Sequence, residues 1–303
     1  MLKHWISAFR LRTLPLALST IFMGNCLAIM NNCFNTTIFF LSILVTILLQ
    51  ILSNLANDYG DGVKGTDNEH RLGPIRAIQS GAISKRAMLN AVIIFSILSL
   101  GLGLLLVFIS LSNPIIVTVF VVLGLSAILA AIKYTIGKKA YGYHGLGDLF
   151  VFIFFGLVGV LGTYYLQTQT LELLILLPAI GIGCFSTAVL NLNNMRDIDN
   201  DRASNKNTLV VKMGLARAKK YHFTLFIVAY ISLFTFAFLQ NKTSIIYSFA
   251  SALVFFVILH VRHLLTIKKA ENYKSFDPQL KIVALTSFGL SIVWFIIINM
   301  IKS

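Results

Sequence analysis

The chain has 303 residues, 57% hydrophobic and only 12% charged, with a mean hydropathy of +0.83 and a formal net charge of +14. An ordinary soluble domain carries about 25% charged residues, so this composition excludes a single soluble domain, a disordered chain and a disulfide scaffold. The positive balance leaves two readings: nucleic-acid binding, or a membrane protein whose cations gather in the loops of one side.

A membrane-spanning helix needs about 20 mostly apolar residues. In chain order, such segments are expected at 14–30, 38–57, 87–110, 114–133, 146–166, 171–191, 221–239, 244–264 and 282–301. Lys3, Arg10 and Arg12 before the first apolar run give it the look of a signal peptide, but no small-x-small cleavage site follows and further spans do, so the run is read as a retained first span. The connections 31–37, 111–113, 167–170 and 240–243 are short and nearly uncharged, while those on the opposite side are long. All 25 Lys and Arg except Lys242 and Lys302 fall on the side of the N-terminus and the long loops. The positive-inside rule makes that side cytoplasmic, with the N-terminus inside and the C-terminus outside a bacterial inner membrane. Topology thus accounts for the charge, and no nucleic-acid partner is expected. Cys26, Cys33 and Cys184 form no CxxC pair and are read as small apolar fillers.

The acids are scarcer and more telling. Seven of the 11 lie in two cytoplasmic stretches, Asp58, Asp61, Asp67 and Glu69 after the second span and Asp197, Asp199 and Asp201 after the sixth. If each helix continues past the membrane edge, Asn54, Asp58 and Asp61 share one face, as do Asn193, Asp197 and Asp201. The two stripes, 139 residues apart, suggest a four-helix unit repeated once with a ninth helix added. The fold expected is therefore all-α and polytopic: nine transmembrane helices around a central cavity, two four-helix pseudo-repeats plus one helix, in a single domain over 1–303.

Carboxylates on one helical face repel unless a positive charge neutralises them, and at a membrane edge such groups are expensive and functional. The neutraliser that suits oxygen ligands is Mg²⁺, which takes one or two carboxylates together with substrate phosphate oxygens. Zinc would want His or Cys, and only His70 is near a stripe. Lys64, Arg71 and Arg76 follow the first stripe and Arg202 and Lys206 the second, where Arg clamps phosphate bidentately and Lys supplies a point charge. Facing Mg²⁺-loaded stripes backed by an apolar slot imply a lipid diphosphate substrate. Glu69 is read as a solvated loop charge. Asp199 lies off its stripe, either supporting the site or simply exposed. Lys85, Arg86, Lys219 and Lys220 are read as topology anchors, the 24 Phe as core or lipid-facing filler, and His4, His222, His260 and His263 as interfacial residues at span edges.

With both stripes in view, the chain resembles the UbiA-type intramembrane aromatic prenyltransferases, which carry two Asp-rich cytoplasmic loops after the second and sixth of nine helices. The second loop, Asp197-x3-Asp201 followed by Lys206 and Thr208, fits that pattern. The first departs from it: Asn57-Asp58-x2-Asp61 is followed by Gly65 where a further Asp is usual, with Asp67 two residues later. NLANDYGDGVKGTD (54–67), GPIRAIQSG (73–81), YGYHGLGDLFVFIFFG (141–156) and the RLRTLPLALS start (10–19) look like the branch acting on 1,4-dihydroxy-2-naphthoate, over roughly the first 220 residues.

The resemblance implies that Asn54, Asp58, Asp61, Asp197 and Asp201 hold Mg²⁺ against the diphosphate of a polyprenyl donor, with Asp67 assisting. Lys64, Arg76 and Lys206 would cradle the phosphates beside Asn57 and Asn193, and Tyr141, Tyr143 and Asp148 would orient the aromatic acceptor. It further implies decarboxylative prenylation of dihydroxynaphthoate to demethylmenaquinone. The partners expected are the two substrates and the bilayer, with no obligate protein partner. Two alternatives stand beside this: another aromatic acceptor such as 4-hydroxybenzoate, or a cation-coupled transporter, for which broken helices with acids at the bilayer midplane would be expected.

Overall fold

The computed structural model describes residues 1–302, and among these every regular element is helical. A short helix α1 (Leu2–Phe9) and a 3₁₀ turn (Leu11–Thr13) precede α2 (Leu14–Met30). This start is a helical approach to the first span, broken where Arg10 takes left-handed backbone geometry (φ 49°) between the two turns. Next come α3 (Thr36–Lys64), α4 (Lys85–Ser110) and α5 (Pro114–Lys133). The Asn35, Ser84 and Asn113 side chains accept hydrogen bonds from the first free N–H groups of these three helices. Gly65, in left-handed geometry that only glycine adopts without strain, ends α3.

The fifth span joins α6 (Gly147–Val151), a π-helical segment (Phe152–Leu161) and α7 (Gly162–Thr168) into one rod over Gly147–Thr168. The sixth, α8 (Leu176–Arg196), leads into α9 (Ile198–Ala203) and α10 (Leu209–Met213). Three long helices follow, α11 (Leu215–Phe238), α12 (Thr243–Lys269) and α13 (Phe276–Lys302). Nine helical rods among the described residues are long and apolar enough to cross a membrane, matching the expected spans in number and order and exceeding most of them in length.

Two packed cores flank the site. One joins α2, α8, α11, α12 and α13 around Phe185, Phe226, Phe249 and Trp294, and the other joins α1, α3, α4 and α5 around Leu52, Leu55 and Met88. α2 lies along α13, while α8 packs on α11, α13 and the π-helical segment. Gly156 permits that last approach, since a Cβ there would sit 2.7 Å from the Gly183 Cα. α5 packs chiefly on α3 and α4 and is the least buried span. Between the cores lies a cavity of about 860 Å³. The Lys302 ammonium bonds Asn32 (2.8 Å) in the α2–α3 turn, so the C-terminus lies at the end away from the carboxylates.

Two expectations are corrected. Asn193, Asp197 and Asp201 do not continue one helix: α8 stops at Arg196, and Asp197 (φ −99°, ψ 13°) is the joint at which the chain turns into α9. His222, His260 and His263 are not interfacial but buried, because each ring finds polar partners on neighbouring helices.

Candidate active site

The extra turns of α3 carry Asp58 and Asp61 beyond the apolar part of the helix to the cavity mouth, as the spacing predicts. Asp61 is where both loops meet. It accepts from the Tyr143 hydroxyl (2.8 Å), from Arg76 Nη1 (2.9 Å) and from Lys206 Nζ (3.1 Å). The Tyr143 hydroxyl accepts in turn from Thr66 (2.6 Å), and the Lys64 ammonium lies 3.8 Å from the centre of its ring. Asp58 takes the backbone N–H groups of Ala77 (3.2 Å) and Ile78 (3.3 Å), which folds the segment after α3 back over the cavity. Arg76 Nη1 also donates to the Asn57 carbonyl (2.8 Å) and lies 2.9 Å from Asp67. The Asn54 amide nitrogen donates to the Phe9 carbonyl (2.9 Å) and to Thr13 Oγ1 (3.0 Å), which spends its N–H groups and leaves its oxygen for the site.

The second loop is held by an arginine whose place in the sequence marks it only as one of the cytoplasmic-side cations. Arg196, 1% exposed, donates from Nε and Nη2 to the two oxygens of Asp197 (2.9 and 2.6 Å), to Asn193 Oδ1 (2.9 Å) and, from Nη1, to Asp277 at the start of α13. Arg71 bridges the loops, 3.3 Å from Asp67 and 3.6 Å from Asp197, and Asn200 donates to the Thr66 carbonyl (2.9 Å). Arg10 also lines the cavity mouth. Arg196, Asn200, Arg10 and Asp277 are thus site residues absent from the expected set. The available signal was Arg196 beside Asp197; the partner Asp277, 81 residues on, carries none.

The charges are unevenly compensated. Burial raises the Asp201 carboxyl to about 7, with Asp197 and Asp61 adding to the rise and Lys206 opposing it, and among the described residues no hydrogen bond or ion pair reaches that carboxylate. Burial also raises Asp67 to about 6 against Arg76 and Arg71. Asp197 goes the other way: burial works to raise it, but the Arg196 hydrogen bonds and charge outweigh burial and hold it below the ordinary carboxylate range. Lys206 stays charged for a like reason, Asp61 and Asp201 outweighing its burial.

These groups fit a hard divalent cation of a particular kind. Among the described residues no three His, Cys, Asp or Glu converge into a ready cage. The donors are oxygens on two facing loops: among the described residues Asp201 has no hydrogen-bond or ion-pair partner, Asp58 takes backbone N–H groups, and Asp61, Asp67 and Asp197 are held by Arg and Lys. That suits Mg²⁺, which binds through one or two carboxylates and substrate phosphate oxygens.

Below the mouth the cavity turns apolar, with Leu16, Ile21, Val45, Leu104, Phe120 and Phe154 on its walls. Tyr141 faces it, stacked on Phe150 (ring centres 4.0 Å apart) with its hydroxyl donating to the Ala130 carbonyl (2.9 Å). Tyr143 faces Asp61 rather than this wall. Asp148 is buried beside the Tyr221 hydroxyl of α11, away from the cavity lining.

A charged mouth over an apolar slot, set among nine helices long and apolar enough to cross a membrane, is the arrangement of an intramembrane enzyme of lipid diphosphates. The model of the UbiA prenyltransferase family matches residues 17–285, and the chain belongs to that family. It is 49% identical over 238 residues to a 1,4-dihydroxy-2-naphthoate octaprenyltransferase of Haemophilus influenzae, covering 78% of this chain and 77% of that one. It is 46% identical to the protein of the same name from Escherichia coli, covering 73% and 71%. Its fold is similar to that of a UbiA homologue from Archaeoglobus fulgidus solved with DMAPP and Mg²⁺ (TM-score 0.68, 14% identity, 98% and 99% covered).

Proposed function

We propose that this protein transfers a polyprenyl group from a polyprenyl diphosphate to 1,4-dihydroxy-2-naphthoate, releasing diphosphate and CO₂ and forming demethylmenaquinone in its reduced, quinol form. The observation that carries the reading is the joining of the two acidic loops through Asp61, Arg76 and Lys206 at the mouth of an apolar slot. The names of the bacterial relatives support the choice of acceptor.

In this reading Asn54, Asp58, Asp61 and Asp67 on one loop and Asp197 and Asp201 on the other would hold Mg²⁺. When bound, the metal neutralises the leaving diphosphate and so favours breaking the allylic C–O bond. Lys206, Arg76 and Arg71 bind the diphosphate oxygens, exchanging part of their hold on the carboxylates for the incoming anion. As the bond breaks, its electron pair leaves with the diphosphate and the prenyl carbon becomes cationic. The fixed cations of this chain stabilise the charge that develops on the leaving group. The apolar walls keep water from the cation. The stacked Tyr141–Phe150 wall presents the flat naphthoate ring, whose carbon attacks the prenyl cation. The carboxyl group leaves that carbon as CO₂, returning its electron pair to the ring. The cation distribution supports a cytoplasmic mouth in a bacterial inner membrane.

The test is transfer in vesicles given dihydroxynaphthoate or 4-hydroxybenzoate with the same donor. Prenylation of the naphthoate alone is expected; prenylation of the benzoate alone overturns the acceptor assignment.

A further inference from the structure

Outside the cavity, a chain of buried polar groups crosses four helices. Asn191 Oδ1 on α8 lies 3.2 Å from His222 Nδ1 on α11, and His222 Nε2 lies 2.8 Å from His263 Nε2 on α12. His263 Nδ1 lies 2.7 Å from Gln279 Oε1 on α13. Asn191 and His222 are fully buried and His263 is 2% exposed.

The protons in this chain are over-determined. With both amide oxygens facing a ring Nδ1, each Nδ1 must carry a proton, and the facing Nε2 atoms need one more between them. Three ring protons on two rings make one net positive charge. The neighbours are Phe226 and His260, and no carboxylate is ion-paired with either ring among the described residues. An unpaired charge buried in this way is costly. Turning the Asn191 amide over, which exchanges its oxygen and nitrogen, removes the charge. It also gives an acceptor to Asn191 Nδ2, which is otherwise buried without one among the described residues. The chain then has one direction: Asn191 Nδ2 donates to His222 Nδ1, His222 Nε2 to His263 Nε2, and His263 Nδ1 to Gln279 Oε1.

Both ends of this chain sit beside the second loop. Asn191 is just over one turn before Arg196 on α8, and Gln279 is two residues after Asp277, which Arg196 grips. A slip of one turn (about 5.4 Å) between these helices would break the relay and leave buried polar groups unpaired. We propose that His222 and His263 form a neutral, directional relay that fixes α13 against α8 and so positions Arg196 on Asp197. Its effect on donor binding rests on the functional reading above; its proton arrangement does not.

Nitrogen-15 histidine NMR of the full chain tests the arrangement. His222 is expected protonated at Nε2 and His263 at Nδ1, and replacing Gln279→Leu, which leaves both rings in place, is expected to abolish the Nδ1 preference of His263. An imidazolium signature for the pair, or Nε2 protonation of both rings, overturns the relay. Positioning is tested by titrating a thiolo-diphosphate analogue of a short prenyl donor with Mg²⁺. Gln279→Leu or His263→Leu is expected to weaken binding about tenfold, and by much less in an Asp277→Ala background, where the link to Arg196 is already cut. Equal losses in both backgrounds overturn the positioning role. No binding of the analogue to the unaltered protein overturns the donor reading while leaving the NMR result to decide the relay.

Discussion

Arg76 Nη1 stands 2.9 Å from an oxygen of Asp61 and 2.9 Å from an oxygen of Asp67, so a single nitrogen ties the last turn of α3 to the loop that follows it. Lys206 adds to the hold on Asp61 and Arg71 to that on Asp67, so both carboxylates are fixed by cations that reach across the loops. Replacing Arg76→Lys keeps the charge but shortens the side chain, withdrawing the one nitrogen that reaches Asp61, Asp67 and the Asn57 carbonyl together. Turnover is expected to fall by about 10²–10³-fold, the loss typical when one fixed electrostatic stabiliser is removed, with the KM for the acceptor little changed. Steady-state kinetics in vesicles checks this.

Asp61→Asn leaves Arg76 and Lys206 buried with half their compensation gone. Breaking a buried ion pair from one side costs about 3–5 kcal/mol, so this variant is expected to lose both activity and thermal stability. Lys206→Met is expected to remove activity with a smaller loss of stability, because Arg76 and Tyr143 still hold Asp61. Melting curves in detergent beside transfer assays separate the two.

Asp201 gives a prediction in pH. Its carboxyl sits near 7 in the folded chain, against about 4 in an unfolded one. Between those values the folded state holds a proton that the unfolded state has released, so this group makes stability fall as pH rises from about 4 to 7. Asp67, raised to about 6, acts in the same direction over a narrower window. Without metal, the melting temperature is expected to drop across that window, and Asp201→Asn is expected to flatten the slope. Added Mg²⁺ with diphosphate is expected to stabilise the protein most above pH 7, where Asp201 is ionised.

Gly156 tests the packing that shapes the slot. A side chain there meets the Gly183 Cα and the Ala179 carbonyl, both backbone atoms that cannot step aside. Gly156→Val is expected to force α8 away from the fifth span and to cost about 1–3 kcal/mol, as overpacking does. Thermal unfolding reads it.

The nine spans were legible because about 20 apolar residues between charged loops have few other uses. The first acidic stripe was legible too, since α3 does run on to Lys64 and carries Asp58 and Asp61 on one face. The second was misread as a continuous helix because nothing in its spacing records that Asp197 turns the chain, a turn held by Arg196 and Asp277. The three inward histidines were hidden for a similar reason. A polar ring near a span edge looks interfacial until its partners are known, and those partners lie 16 to 41 residues away on other helices. Sequence spacing registers neighbours on one helix; it does not register pairs across helices.

The central claim is metal-assisted prenyl transfer to a naphthoate at the joined acidic loops. Its most direct test is mass spectrometry of products from the protein in lipid vesicles, given octaprenyl diphosphate and 1,4-dihydroxy-2-naphthoate, with and without a chelator. A prenylated, decarboxylated naphthoquinol and one diphosphate per turnover are expected, lost on chelation and restored by Mg²⁺. A rate unchanged by chelation, or no prenylated naphthoate from active protein, would contradict it.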